Sequence, residues 1–252
     1  MYDAFSADYD RFVNWESRLA FELPFLVQLL DPQARVLDAA CGTGQHAIAL
    51  ARRGFPAAGA DLSPGLVERA KTSAALVGVD VPFQTAGFSQ LAAAFVGSPL
   101  IPFDAVLCLG NSLPHLLSPG ELAAALVDFA ACLRSGGRLV IQNRNFDAIL
   151  AQHERWMEPQ SLREGQREWI FLRFYDFDPD GLITFNILTL SRDGTAPRQQ
   201  RLTATRLRPQ TQAELSAALS AAGFGEITAC GSLSGAPFDP ASSGNLVMVC
   251  RK

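Results

Sequence analysis

Cysteine and histidine are scarce in this chain, with five and three among 252 residues. Cys41, Cys108, Cys132, Cys230 and Cys250 are odd in number, far apart and mostly set in apolar runs. That argues against a disulfide framework and leaves them as small buried side chains. His46 and His153 stand at no ligand-like spacing to a second His or Cys, so no metal is expected and both are read as structural or solvent-exposed. Charge is thin as well. Charged residues make up 18% of the chain, and 21 basic against 25 acidic residues leave a net −4. The positive footprint of a nucleic-acid or anionic-membrane binder is missing, and a small-molecule partner becomes the default. No apolar run approaches the ~18 residues of a spanning helix. The opening MYDAFSADYDRFVNW has neither the basic start nor the apolar stretch of a signal peptide, so the expected location is cytoplasmic. Internal repeats, charge runs and low-complexity tracts are also lacking. Nothing in the residues speaks to oligomeric state.

What is present is ample apolar material, 48% of residues, in a length that suits one domain carrying an insertion. From Ala34 to Asn143 short β-like runs alternate with Ala/Leu-rich segments at helical spacing, the pattern of βαβ units and a parallel sheet. Strands are expected near 35–40, 56–61, 81–86, 103–109 and 137–143, and helices near 45–53, 64–77, 89–95 and 119–133. Ser63-Pro64 and Ser118-Pro119 supply N-caps with proline at the first helical position. Ser135-Gly136-Gly137 is read as the stop of the fourth helix, with glycine as a left-handed cap. After Asn145 the pattern becomes extended: 167–178, 182–192 and 198–208 are long runs joined by Asp-Pro-Asp-Gly and Arg-Asp-Gly-Thr turns, an antiparallel meander. A helix over 211–222 closed by Gly223 and strands near 225–230 and 244–251 complete the chain. The expected fold is an α/β doubly wound sheet of five parallel strands plus two C-terminal strands. A three-strand antiparallel insertion at about 155–208 should lie over the open end of the sheet as a lid.

The most informative stretch is Val36 to His46, VLDAACGTGQH. A buried strand runs into small residues and then a helix, so a ligand can approach the backbone. Alone, Gly42-x-Gly44 could be only a tight turn. Asp61 changes the balance: it ends the second strand 23 residues after Asp38, where a carboxylate can accept both hydroxyls of a ribose, or else simply open a helix. A dinucleotide fingerprint would want glycine where Ala47 stands, and Asp38 would repel a pyrophosphate while suiting a cationic ligand.

In this D-x-A-C-G-T-G loop the sequence resembles the class I S-adenosylmethionine-dependent methyltransferases, with their Rossmann-like fold, and the resemblance covers essentially the whole chain. It implies S-adenosyl-L-methionine as cofactor. The Asp38 to Gly44 loop, Ala40 and Gly42 included, would contact its amino acid part, Asp61 its ribose, and Phe88 its adenine, with Leu109 completing the set. The family's usual acidic residue before that aromatic is replaced by Gly87, so a backbone carbonyl or water must serve the adenine amino group.

The fourth and fifth strands end in Gly110-Asn111-Ser112-Leu113-Pro114-His115-Leu116 and Gln142-Asn143-Arg144-Asn145-Phe146-Asp147, two polar clusters at the carboxyl edge where open α/β sheets bind ligands. Both look like the corresponding loops of glycine and sarcosine N-methyltransferases. Within that resemblance Asn111 and Arg144 would hold an acceptor's carboxylate and His115 would line the methyl-transfer site. Tyr9, Trp15 and Arg18, in a helical arm over residues 1–30 that precedes the 31–252 methyltransferase domain, would close over the cofactor. On the residues alone, His115 could instead cap the following helix, Arg144 could pair with Asp147, and Trp15 and Phe88 could be core aromatics. The function implied is methyl transfer to a small-molecule acceptor, glycine, sarcosine or a similar carboxylate-bearing amine. A same-fold enzyme with an unrelated acceptor, a non-catalytic cofactor-binding module and an NAD-dependent oxidoreductase are the alternatives, the last disfavoured by Ala47 and Asp38. A Ser-His-Asp hydrolase lacks its G-x-S-x-G elbow.

Overall fold

The computed structural model describes residues 13–252; Tyr9 lies outside the described residues. Helix α1 (Trp15–Gln28) opens on Asn14, whose side chain accepts from the Ser17 amide, and buries Glu22, Leu23 and Leu26. There follow β1 (Val36–Ala39), α2 (Gln45–Ala51), β2 (Ala57–Asp61), α3 (Pro64–Leu76), β3 (Phe83–Thr85), α4 (Leu91–Ala94) and β4 (Phe103–Cys108). A 3-10 turn (Leu113–His115), α5 (Pro119–Cys132), β5 (Leu133–Arg144) and α6 (Phe146–Gln152) lead to the inserted sheet, β6 (Gln160–Glu164), β7 (Arg167–Phe177), β8 (Ile183–Asp193) and β9 (Gln199–Leu207). Helix α7 (Gln212–Ala221) and strands β10 (Gly225–Cys230) and β11 (Asn245–Arg251) close the chain. No described helix is long and apolar enough to cross a membrane.

The main sheet has seven strands in the order β10-β11-β5-β4-β1-β2-β3. Strands β1 to β5 run parallel, and β11 is antiparallel to both of its neighbours. Burial on both faces explains why these strands read as unbroken apolar runs. Leu37, Ala39, Leu139 and Ile141 face one layer with Leu122, Phe129, Leu215 and Leu219 of α5 and α7. Val36, Val140 and Val247 face the other with Leu23, Leu26, Ile48, Leu50 and Val67 of α1, α2 and α3. Both serine caps are present: Ser63 accepts from the Leu66 amide, and Ser118 forms a capping box with Glu121. The expected glycine stop of α5 is not. That helix ends at Cys132 with an extended Leu133, and β5 begins at once. Gly136 does take positive φ, +73°, but inside β5, where the pairing with β4 shifts register between Phe103 and Ala105.

The inserted sheet has four strands rather than three, in the order β6-β7-β8-β9. Strand β6 is short and its side chains are mostly exposed, so it carries almost no apolar alternation to betray it. The sheet has a small cluster of its own, Trp169, Phe171 and Ile187 with Leu162 and Phe185, and a second cluster shared with the parallel domain. Tyr175, Ile183 and Leu207 pack on Phe146 and Ile149 of α6, immediately beyond the carboxyl end of β5. Polar ties fix its return limb. The Arg208 amide donates to Pro114 O at 2.7 Å, and buried Gln210 bridges Asn143 Nδ2 (2.9 Å) and Leu113 O (3.1 Å). The antiparallel sheet therefore sits against the carboxyl ends of β4 and β5.

Candidate active site

The β1–α2 loop is held in an unusual backbone shape. Ala40, Gly42 and Gly44 all have positive φ (79°, 56° and 78°), and the Ala40 and Cys41 amides share Ala60 O at 2.8 Å. A Cβ on Gly44 would lie 2.7 Å from the Phe83 ring and 2.9 Å from Ala70, so close packing of helix onto sheet requires glycine there. Ser89 after β3 and Asn111 after β4 also have positive φ. For non-glycine residues that conformation is costly and gathers at functional sites. Of the six non-glycine cases among the described residues, three, Ala40, Ser89 and Asn111, follow the carboxyl ends of three parallel strands.

Asp38 is buried, and its Oδ2 makes no hydrogen bond. Burial pushes its carboxyl up to about 6, against the pull of nearby His46 and Arg18; Asp61 adds to the upward push. Asp61 is fixed at the end of β2, its Oδ2 accepting from the Gly42 amide (2.8 Å) and its Oδ1 from the Ser63 amide (2.9 Å). One carboxylate thus splices the first loop to the start of α3. Next to it Leu62 is 74% exposed, with its Cδ1 3.1 Å from where a Gly87 Cβ would stand. Phe88 is half-buried, edge-on to Phe129 at 5.6 Å, and Gln90 Oε1 accepts from the Gly87 amide. Leu109 points into the core and its carbonyl is taken by Ser112 Oγ at 2.8 Å.

A second set of residues faces a cavity of about 820 Å³. Arg18, Asn111, His115 and Arg144 all line it. Asn111 Oδ1 accepts from the Arg144 amide (2.9 Å) while the Asn111 amide donates to Gln142 O (3.0 Å), stitching the ends of β4 and β5 together. Arg144 makes no ion pair with Asp147, whose Oδ2 instead accepts from the Gln212 amide at 2.9 Å. The Arg144 Nε is buried without a hydrogen-bond partner. His115 ends the 3-10 turn rather than capping α5, which Ser118 does, and burial pushes its imidazole down to about 4. At neutral pH it is an uncharged ring.

Sequence reasoning overlooked Glu22. Its buried carboxylate takes the Arg18 Nε on both oxygens at 3.1 Å, His46 Nε2 at 2.6 Å and Gln142 Nε2 at 3.5 Å. Arg18 also reaches Gln142 Oε1, which accepts from the Gly110 amide, and its guanidinium lies 5.0 Å above the Trp15 ring. Trp15 in turn meets His46 edge-on at 5.6 Å. These contacts connect the floor of the cavity to the helix that begins beside Asp38. The Arg18/Glu22 spacing of four along a helix was the available signal. Also overlooked were Arg173 and Tyr175, alternate residues of β7 that face the cavity, for which the period of two was the signal.

Comparison with known proteins bears on this arrangement. Residues 36–137 match the methyltransferase domain family. The glycine/sarcosine N-methyltransferase of Halorhodospira halochloris is 32% identical over 208 residues, 77% of this chain and 74% of that protein. That of Parasynechococcus marenigrum is 36% identical over 149 residues, 58% of this chain, and the match spans about half, 51%, of that relative's length. Among solved structures, SAM-bound CalS10, an amino pentose methyltransferase from Micromonospora echinaspora, superposes with a TM-score of 0.71 at 23% identity, over 98% of this chain and 96% of that one. The loop at the end of β1, the sheet order and these relatives agree: the chain belongs to the S-adenosylmethionine-dependent methyltransferase family that includes the glycine/sarcosine N-methyltransferases.

Proposed function

We propose that this protein methylates the amine of a small carboxylate-bearing acceptor of the glycine or sarcosine type, held in the 820 Å³ cavity by Arg144. The observation that carries the reading is the buried, unpartnered Arg144 Nε beside Asn111 and His115 in one cavity. A buried guanidinium donor without a partner is costly, and a bidentate carboxylate answers it.

The residues present fit the cofactor. Asp38 Oδ2, buried and without a hydrogen bond, suits its ammonium group. Ala40, Gly42 and Gly44 would let its amino acid part lie against the loop, and Asp61 would take the ribose hydroxyls. Leu62 and Phe88 would flank the adenine, with Gln90 the nearby amide where Gly87 replaces an acid. Leu109, packed in the core, would only back this surface from behind. Trp15 and Arg18, with Tyr9, would form the arm that closes over the cofactor, and the antiparallel sheet would act as the lid. When bound, the cofactor supplies an activated methyl group on a sulfonium.

What remains for the chain is positioning, water exclusion and proton control. An amine must be uncharged to present its lone pair. Arg144 anchors the acceptor's carboxylate, and its positive charge close by disfavours the ammonium form. Neutral His115 can accept a hydrogen bond from the amine N–H and so direct the lone pair; with its low basicity it orients rather than stores the proton, which passes to solvent.

The test is a methyl-transfer screen of glycine and sarcosine against phenols and uncharged amines. Arg144→Lys keeps the charge but loses the fork, so acceptor KM should rise while cofactor affinity stays nearly constant. A best substrate without any anionic group, or normal turnover by both Arg144→Lys and Arg144→Ala, would overturn the assignment.

A further inference from the structure

Asn143 lines the same cavity, is 1% exposed, and uses only one end of its amide. Its Nδ2 donates to Gln210 Oε1 at 2.9 Å, while Oδ1, shut away from bulk water, accepts no hydrogen bond. That polarity is imposed from outside the pair. The Leu113 carbonyl can only accept, so it takes the Gln210 Nε2 at 3.1 Å; Gln210 then turns its oxygen to Asn143, which must answer with its nitrogen. Flipping Asn143 would set oxygen against oxygen, and flipping Gln210 would set its oxygen against Leu113 O. Asn143 Oδ1 is therefore an acceptor of fixed orientation, and a buried acceptor without a donor is costly. Asn143 and Arg144 are successive residues at the end of β5, so their side chains leave opposite faces of the strand, yet both line the cavity. The cavity thus crosses the strand end, with the orphaned Arg144 donor on one side and the orphaned Asn143 acceptor on the other.

We propose that Asn143 is an amine-binding residue of the acceptor cavity: its Oδ1 accepts an N–H of the acceptor's amino group while Arg144 holds the carboxylate. An amino acid carries the donor and the anion that the two orphaned atoms call for. A carboxylate of the same size without the N–H leaves Oδ1 unpaired, and a site built around a buried polar group rejects an analogue that cannot bond to it. Asn143 would thus select for nitrogen acceptors from within the parallel sheet, and an N–H held there fixes the direction of the amine lone pair. The inference rests on the acceptor reading above and assigns that site its second point of contact.

Titration calorimetry of the full chain, saturated with the demethylated cofactor so that no transfer occurs, tests it with glycine and with propionate, in which a methyl group stands where glycine has its amine. Glycine should bind tighter than propionate by about tenfold or more, as expected for a charge-assisted bond to a buried acceptor. Asn143→Leu should cut that ratio by about tenfold while propionate affinity changes little. Asn143→Asp, which keeps an acceptor oxygen, should retain the preference for glycine. Wild-type protein that binds propionate as tightly as glycine overturns the proposal whether or not the variants fold. So does an Asn143→Leu protein, folded by thermal melt, that keeps the full ratio. Either result leaves the carboxylate anchored by Arg144 and strikes only the amine contact. Wild-type protein that binds neither ligand overturns the acceptor reading itself and this inference with it.

Discussion

Asp38 and Asp61 are both aspartates at the ends of neighbouring strands, yet the structure asks opposite things of them. Asp61 is satisfied by two backbone amides, whereas Asp38 sits buried with one oxygen unanswered. A folded pKa of about 6 against an ordinary 3.8 has a definite sign. Between those values the folded chain binds more protons than the unfolded one, so stability from this group falls as pH rises, and above about 6 the full cost of the buried anion is present. A cationic ligand needs that anion. S-adenosylmethionine affinity, measured by calorimetry, should therefore fall by about tenfold from pH 7 to pH 5. Asp38→Asn should bind weakly with a flat profile over the same range; an unchanged profile would remove Asp38 from the ammonium site. Asp61→Ala should lower cofactor affinity by about tenfold or more, since charge-assisted hydrogen bonds contribute roughly 1.5–3 kcal/mol. Asp61→Asn retains an acceptor for only one of the Gly42 and Ser63 amides, which bond to different oxygens of the carboxylate, so hydrogen exchange at those two amides must be read beside the affinity to separate loss of ribose contact from loss of loop shape. These two aspartates were legible because short-range spacing defines them. Glu22 was harder to see: its spacing of four from Arg18 was a signal, but its bond to His46, 24 residues away, is one that no local pattern names.

Among the elements, the helices with serine caps were legible to within a residue or two, because Ser-Pro-x-x writes its own start. Ser118→Ala removes the half of the capping box in which Ser118 Oγ accepts from the Glu121 amide, while the Ser118 amide can still donate to the Glu121 carboxylate, and it should cost about 1 kcal/mol, read as a fall of roughly 2–4 °C in Tm. The end of α5 was misjudged for a physical reason. Positive φ at Gly136 is demanded by a register shift between strands, and a sequence cannot distinguish a glycine that turns a helix off from one that accommodates a bulge. Strand β6 escaped notice because an exposed edge strand has no buried face to impose alternation. Helix α1 was expected only as part of an arm. Its apolar face, Leu23 and Leu26, and its Arg18/Glu22 pair meet α2 and β5 in the structure. Glu22→Gln should thus loosen α1 at both contacts, and faster hydrogen exchange over residues 15–28 is the expected readout.

For the molecule as a whole, we expect the antiparallel sheet to be a lid rather than a domain, because its apolar residues at the active-site end are spent on α6. Limited proteolysis should cut first at the Asp178 to Gly181 and Asp193-Gly194 turns, and release of a stable fragment over 155–208 would contradict the assignment. The two-layer layout was legible from the change of period near Asn145, and so was the position of the inserted sheet over the open end of the parallel one; the tie that holds it there was not, since Gln210 is an ordinary-looking polar residue in a loop. Gln210, fully buried between Asn143 and Leu113, has a mechanical consequence. It pins the β9 edge of the flap like a door post; β6 is the opposite edge of the same sheet and is remote from this tie. Breathing of the flap must then swing about Gln210, with the greatest travel at β6. Amide protons should survive longest near residue 210 and exchange soonest across 160–164, and the doorway for an incoming acceptor lies on the β6 side, past Glu158 and Gln160.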